Sequence, residues 1–204
     1  MTTFRYYLLV QTEPSTSARQ VVGFFSKEKM SWDNNNVACI LVFPPWQRKG
    51  LGQILMGVSY ELSRREGRLG GPEKRKSCIF HQLLPNYPSD VYVQRQGHTL
   101  TPTALSSLGK KAYQAYWSAA IARCLLSNKS TRTSVADIVQ DTFVMPEDVI
   151  YALKEMDVVS TRPATTTTDA VTVDRARVEA WVRDNKASLT PDVTADGFLE
   201  AGLA

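Results

Sequence analysis

The spacing of hydrophobic positions changes along the chain and divides it into elements. Phe4 to Val10 and Gln20 to Phe25 are short runs of aromatic and branched residues separated by a Thr12 to Ser17 stretch containing Pro14. They read as two strands joined by a turn. Val37 to Val42 is almost wholly apolar between Asn34-Asn35-Asn36 and Pro44-Pro45, the pattern of a central strand covered on both faces. The first two strands should pair antiparallel beside it. Leu51, Ile54, Leu55, Val58 and Leu62 then recur at helical spacing, and so do Leu108, Ala112, Ala115, Ala119, Ala122 and Leu126 within Ser107 to Leu126.

Beyond that point the signals are helical starts. Ser134-Val135-Ala136-Asp137 resembles a capping box, and Pro146-Glu147-Asp148 places proline and acids where a helix opens. Two short helices should follow and lead into Val158-Val159. Thr165 to Thr168 reads as a solvated turn, Arg175 to Asp184 as a last helix, and the chain beyond Thr190 as disordered. The pattern predicts an α/β core over residues 1–126, a helical region over 127–186 and a tail over 187–204.

Composition narrows the compartment more than the chemistry. The chain has 204 residues and a formal charge of +4, a mild excess that does not by itself argue for nucleic acid. Its longest apolar runs fall far short of the roughly twenty residues that span a bilayer, and no signal-like segment follows Met1-Thr2-Thr3. Cys39, Cys78 and Cys124 form neither a metal pattern nor a disulfide set, so a reducing intracellular site is the simplest expectation and no metal is expected. Arg64, Arg65, Arg68, Lys74, Arg75 and Lys76 cluster after the first helix. Cations suit a helix C-terminus, and a phosphate or nucleosomal contact is the alternative.

The strongest chemical signal joins the apolar strand to the first helix. Gln47-Arg48-Lys49-Gly50-Leu51-Gly52-Gln53 is a glycine-rich turn fused to a helix start. Such a start offers unpaired N–H groups and a positive dipole end, and glycines let a phosphate approach the backbone. A dinucleotide fingerprint would need a third glycine where Leu55 stands. A Gln/Arg-x-x-Gly-x-Gly/Ala turn instead resembles the acetyl-coenzyme A pyrophosphate loop of GNAT-type acetyltransferases.

Over a longer run the resemblance is to the MYST family of histone acetyltransferases, nearest to its fungal members. It rests on Ala38-Cys39-Ile40-Leu41, on Pro44 to Gly52, on Ser59 to Gly67 and on Pro72-Glu73-Lys74. Val22 to Lys29 upstream, and Leu105-Ser106-Ser107-Leu108-Gly109, Tyr113 to Trp117 and Ser134 to Val159 downstream, extend it across roughly residues 4–160.

The resemblance implies a GNAT-like core with a helix-turn-helix-like C-terminal region. It implies acetyl transfer from acetyl-coenzyme A to a lysine of a histone tail, in the nucleus and with other subunits of a chromatin-modifying complex. A lysine amine, with an unperturbed pKa of about 10.4, is protonated at neutral pH and must lose its proton before attack. Glu73 corresponds to the family's general base; the plainer reading is an exposed turn residue paired with Lys74. Cys39 corresponds to the family's active-site cysteine, as acetyl carrier or as pocket lining. Ile40, Leu41 and Val42 would hold the pantetheine arm through their backbone, Gln47 to Gln53 the pyrophosphate, and Ser106 also lies at the coenzyme in the family.

Two departures stand out. The family carries a zinc module and further strands before the position of Phe4. In the family Pro-Glu-Lys also continues straight into Pro-Leu-Ser, whereas here Arg75 to Ala104 intervenes, holding His81 and His98. A retained intron would explain the resumption at Leu105, and sequencing the transcript tests it. These departures keep a second reading in view, a catalytically impaired coenzyme-binding or scaffold subunit. Acetylation of a small amine is a third.

Overall fold

The computed structural model describes residues 4–31, 35–72, 105–128, 132–159 and 170–198. The chain forms two compact units, Met1–Ser59 with Gly70–Ala112, and Tyr60–Leu69 with Tyr113–Ala204. The division falls within two helices, at Ser59/Tyr60 and at Ala112/Tyr113.

In the first unit β1 (Phe4–Thr12), β2 (Arg19–Glu28) and β3 (Val37–Val42) form an antiparallel sheet in that order. The first two strands run longer than their apolar cores, because the turn brings Gln11 opposite Gln20 and Thr12 opposite Arg19. That turn is closed by Glu13 N–H on the Ala18 carbonyl at 2.9 Å and Ser17 N–H on the Glu13 carbonyl at 2.8 Å. One sheet face carries Phe25, which is fully buried and stacks on Tyr7 at 4.7 Å between ring centroids.

Gly23 sets how closely this face can be covered. A Cβ there would stand 2.7 Å from the Leu41 carbonyl oxygen and 3.3 Å from Leu55 Cδ1. Helix α1 (Leu51–Arg65) therefore lays Leu55 onto a strand position with no side chain. β3 differs from the expected fully covered strand. Only Val37 is buried, and residues 38–42 are half-buried. Its second edge meets the Gly71–Pro72 segment, through a parallel bridge between Val37 and Pro72 and a 3.0 Å bond from Val37 N–H to the Gly71 carbonyl.

The second unit holds the end of α1, most of α2 (Ser107–Ser127), and then β4 (Arg132–Ser134), α3 (Val135–Thr142), α4 (Pro146–Met156), β5 (Ala170–Thr172) and α5 (Arg175–Asp184). The buried stripe of α2 is Tyr113, Trp117, Ile121, Ala122 and Leu125, whereas Leu108 is 71% exposed. The alanine spacing thus placed the face wrongly. Two aromatic rings four residues apart bury far more area than alanines and set the rotation of the helix. Trp117 Nε1 donates to the Tyr60 hydroxyl at 2.6 Å, and Tyr60 stacks on Tyr116 at 5.0 Å.

Both expected helix starts are present. Ser134 Oγ accepts from Asp137 N–H at 3.0 Å while the Asp137 carboxylate accepts from Ser134 N–H at 2.9 Å, and Pro146 opens α4. α5 has the expected bounds. The two-stranded β4–β5 ladder was not expected, since three-residue strands leave no alternation to read. Beyond α5, Ala195–Gly197 forms a single 3₁₀ turn. The solvated turn read at Thr165 to Thr168 and the last residues, 199–204, lie outside the described residues.

Candidate functional site

β3 ends at Val42, and Pro44–Trp46 makes a 3₁₀ turn before the loop. Gln47 closes that turn with its side chain, Nε2 donating to the Val42 carbonyl at 2.8 Å. Arg48 and Gly50 both have left-handed backbone, with φ of 60° and 79°. These two residues turn the chain within the short stretch between the 3₁₀ turn and α1. Gln53 and Ile54 N–H groups bond back to the Gly50 carbonyl. Among the described residues no backbone carbonyl takes up the N–H groups of Arg48, Lys49, Gly50, Leu51 or Gly52.

The two glycines make different demands. Gly50 needs its φ of 79°, which a side chain would oppose. Gly52 has no such conformation, and a Cβ at either position would meet no protein atom within 4 Å. Packing within the protein therefore does not explain Gly52. Unpaired N–H groups at a helix start favour an anion.

The β3 edge extends this surface. Phe43 N–H bonds to the Val22 carbonyl at 2.9 Å, and the register continues as Val42 opposite Gly23, Leu41 opposite Phe24 and Ile40 opposite Phe25. Hydrogen-bonded and non-bonded pairs alternate in an antiparallel ladder, so Leu41 and Cys39 turn their backbone groups toward β2. Ile40 and Val42 turn theirs to the other edge. There the Val42 carbonyl is taken by Gln47, and among the described residues no strand pairs with Ile40 or Val42 on that side.

Of the residues read from sequence, Ile40, Leu41 and Val42 lie on β3 and Arg48 to Gly52 on the loop that follows it. By the alternation of the ladder, Leu41 turns its backbone groups toward β2. The Gln47 side chain holds the loop to the strand. Gln53 Nε2 donates to the Ala112 carbonyl at 3.2 Å, tying α1 to the start of α2. Ser106 caps α2, its Oγ accepting from Gly109 N–H at 3.0 Å, with its own hydroxyl proton left to donate. Cys39 is half-buried opposite Ser26. Gly70, Gly71 and Pro72 are buried; Glu73, which follows them, lies outside the described residues, as do Cys78, His81, His98 and the whole of 75–104.

Elsewhere, burial pushes the Tyr116 hydroxyl up to about 12 and raises those of Tyr60 and Tyr113 as well. These phenols are core groups held neutral. Burial, and then the Asp141 carboxylate 3.5 Å from its sulfur, push the Cys124 thiol up to about 12. Arg64 and Arg65, read as a solvated or phosphate-binding cluster, are engaged within the protein. Arg64 Nη2 donates to the Asp141 carbonyl at 2.8 Å with its guanidinium 5.5 Å from the Phe143 ring centre. Among the described residues no group of His, Cys, Asp and Glu could hold a metal ion, and no helix is long and apolar enough to cross a membrane.

Among the described residues, an antiparallel strand thus runs through a glycine turn into the start of a helix whose first N–H groups take no backbone carbonyl. Comparison with known proteins names the family. The profile of the MOZ/SAS family matches residues 1–97 and 91–196, and the chain belongs to that family. It is similar to the histone acetyltransferase MOF of Drosophila melanogaster, 36% identical over 164 residues, covering 78% of this chain and 16% of the relative. The histone acetyltransferase Tip60 homolog of Caenorhabditis elegans is 37% identical over 158 residues, 76% of this chain and 28% of its own length. Histone acetyltransferase KAT6A of Homo sapiens is 32% identical over 153 residues, 75% of this chain and 6% of its own. The chain thus spans less than a third of the length of each of these relatives.

Proposed function

We propose that this chain is a histone lysine acetyltransferase, carrying acetyl from acetyl-coenzyme A to a lysine amine of a histone tail. The observation that supports it best is the continuous run of ligand-facing backbone from Ile40 and Val42 to the amides of Arg48 to Gly52. Its order matches the coenzyme, with pantetheine amides along β3 and pyrophosphate at the start of α1. Ser106 offers its hydroxyl proton to the same ligand. The core is GNAT-like in this reading, and α3 with α4 make a helix-turn-helix-like region that packs rather than reads DNA.

The bound thioester supplies an activated acyl carbon. The substrate ammonium is the obstacle, and Glu73 removes its proton so that the nitrogen lone pair can attack. A new C–N bond forms, the C–S bond breaks, and the surplus proton on the attacking nitrogen passes to the departing thiolate, leaving a neutral amide and free coenzyme A thiol. Backbone N–H groups on the β3 edge stabilise the charge that develops on the carbonyl oxygen. Cys39, on the same strand, lines the pocket in direct transfer; a Cys39→Ser variant that retains turnover would support direct transfer over a covalent route. The chain acts in the nucleus with other subunits of a chromatin-modifying complex, and with Arg64 and Arg65 engaged internally, direct nucleic acid contact is not part of the proposal.

The test offers acetyl-coenzyme A with histone-tail peptides, or with small free amines, and follows acetylation by mass spectrometry. Acetylated peptide lysines are expected. Acetylation of free amines alone would overturn the substrate assignment, and coenzyme binding without any transfer would favour the scaffold reading.

A further inference from the structure

Between α5 and the 3₁₀ turn at Ala195–Gly197 the chain follows no regular structure, and residues 188–192 are all exposed. Thr190-Pro191 lies in this stretch, and among the described residues no other serine or threonine is followed by proline. A proline ring disfavours helical backbone at the residue before it and keeps that residue extended. Ser188 closes a small turn around Thr190, its Oγ donating to the Thr190 carbonyl at 2.7 Å and accepting from Thr190 N–H at 3.2 Å. The Ser188 hydroxyl is thereby engaged, whereas the Thr190 hydroxyl makes no hydrogen bond among the described residues. Arginines hold the stretch at both ends. Arg65 Nη2 donates to the Ala195 carbonyl at 2.7 Å, and its Nε pairs with Glu61 at 3.2 Å. Arg123 Nη1 donates to the Ser188 carbonyl at 2.9 Å, its one hydrogen bond among the described residues. Most N–H donors of the Arg123 guanidinium are therefore left for another acceptor.

We propose that Thr190 is a phosphorylation site for a proline-directed protein kinase, and that Arg123 receives the phosphate. A kinase of this class takes its acceptor hydroxyl from an accessible, extended segment with proline directly after it, which is what residues 188–192 present. Thr190 Oγ1 attacks the γ-phosphorus of ATP, and the bond from that phosphorus to the β–γ bridging oxygen breaks. The hydroxyl proton passes to the kinase's catalytic base, and ADP leaves. The modified side chain carries about two negative charges at neutral pH and adds strong acceptor oxygens. It stands two residues from the carbonyl that already brings Arg123 to this turn. A charge-assisted contact, about twice as strong as a neutral one, then joins the carbonyl contact and tightens the stretch. The site is independent of the acetyltransferase reading, because the kinase reads only this segment.

The experiment incubates the full chain, Thr190→Ala and Arg123→Gln with a purified proline-directed kinase of the mitogen-activated class and magnesium ATP. Peptide mass spectrometry locates the phosphate, and melting temperature reads its effect. Phosphate on Thr190 is expected in the parent and in Arg123→Gln, and none in this peptide of Thr190→Ala. The phosphorylated parent should melt about 2–4 °C above the unmodified chain, whereas phosphorylation of Arg123→Gln should shift the melt by less than about 1 °C. The rise in the parent should also shrink in about 0.5 M salt, which screens an exposed charge contact. A parent chain that stays unmodified at Thr190 while the same kinase modifies a control peptide would overturn the site. No rise in the parent, an equal rise without Arg123, or a rise indifferent to salt would overturn the part given to that arginine.

Discussion

Gly52 separates the demands of folding from those of the ligand, since one substitution there should move stability and binding in opposite directions. It stands in the first turn of α1 with ordinary helical backbone and open space where a side chain would go. Alanine should restrict the unfolded chain and favour the helix, adding about 0.5–1 kcal/mol. At a urea slope of about 2 kcal/mol per molar, the unfolding midpoint rises by about 0.25–0.5 M. In the proposed function the same methyl stands among amides that come close to a phosphate. Forcing one methyl group into a filled contact costs about 1–3 kcal/mol, or about five- to 150-fold in affinity at 1.36 kcal/mol per decade. Urea unfolding without ligand and calorimetric titration with coenzyme A measure the two effects. Gly50→Ala is the control: its φ of 79° should make it lose about 1–2 kcal/mol of stability. A Gly52→Ala protein that binds coenzyme A like the parent would refute the argument that this glycine serves a ligand, and one that is less stable would refute the reading of the space around it.

Three other outcomes follow from named contacts. Gly23→Ala places a Cβ 2.7 Å from the Leu41 carbonyl oxygen, backbone that cannot swing aside, so urea unfolding should show a loss of about 1–3 kcal/mol; parent-like stability would mean that β2 and β3 are not this close. Cys124, with its thiol pushed up to about 12, should alkylate at pH 8 about three orders of magnitude more slowly than an ordinary thiol of pKa about 8.5, and peptide mass spectrometry of the native protein would expose an error as rapid labelling. The Asp137 carboxyl is held below its ordinary value of 3.8 by the Ser134 N–H and then the Ser134 hydroxyl. A depressed pKa gives stability that is complete above about pH 4 and lost as pH falls through the folded value, so Asp137→Asn should flatten the acid limb of melting temperature against pH. An unchanged acid limb would count against the capping box.

What could be read from the chain depended on whether local chemistry decided the outcome. The Ser134 capping box, Pro146 at the start of α4 and the bounds of α5 were legible because each is fixed by a few neighbouring residues. β3 was legible as a strand but not as a half-buried one, since coverage is set by which elements pack on it and an apolar run is silent about that. The face of α2 was misplaced because alanine spacing was counted where Tyr113 and Trp117 carry the area. The turn from strand to helix was legible from glycine spacing, while the left-handed Arg48 and the Gln47 bond to Val42 were not. A glutamine five residues after a strand carbonyl leaves no signature in sequence. Ser106 does carry one: a serine just before a helical run, three positions ahead of Gly109, is an N-cap pattern.

The decisive measurement is acetyl transfer from labelled acetyl-coenzyme A to core histones, run on the parent chain, on Glu73→Gln and on a version without Arg75 to Ala104. Transfer by the parent that is lost in Glu73→Gln is the expected result, with coenzyme affinity unchanged between the two. Transfer that survives Glu73→Gln would contradict the assignment of the base, and silence in all three proteins while coenzyme A still binds would contradict the enzyme.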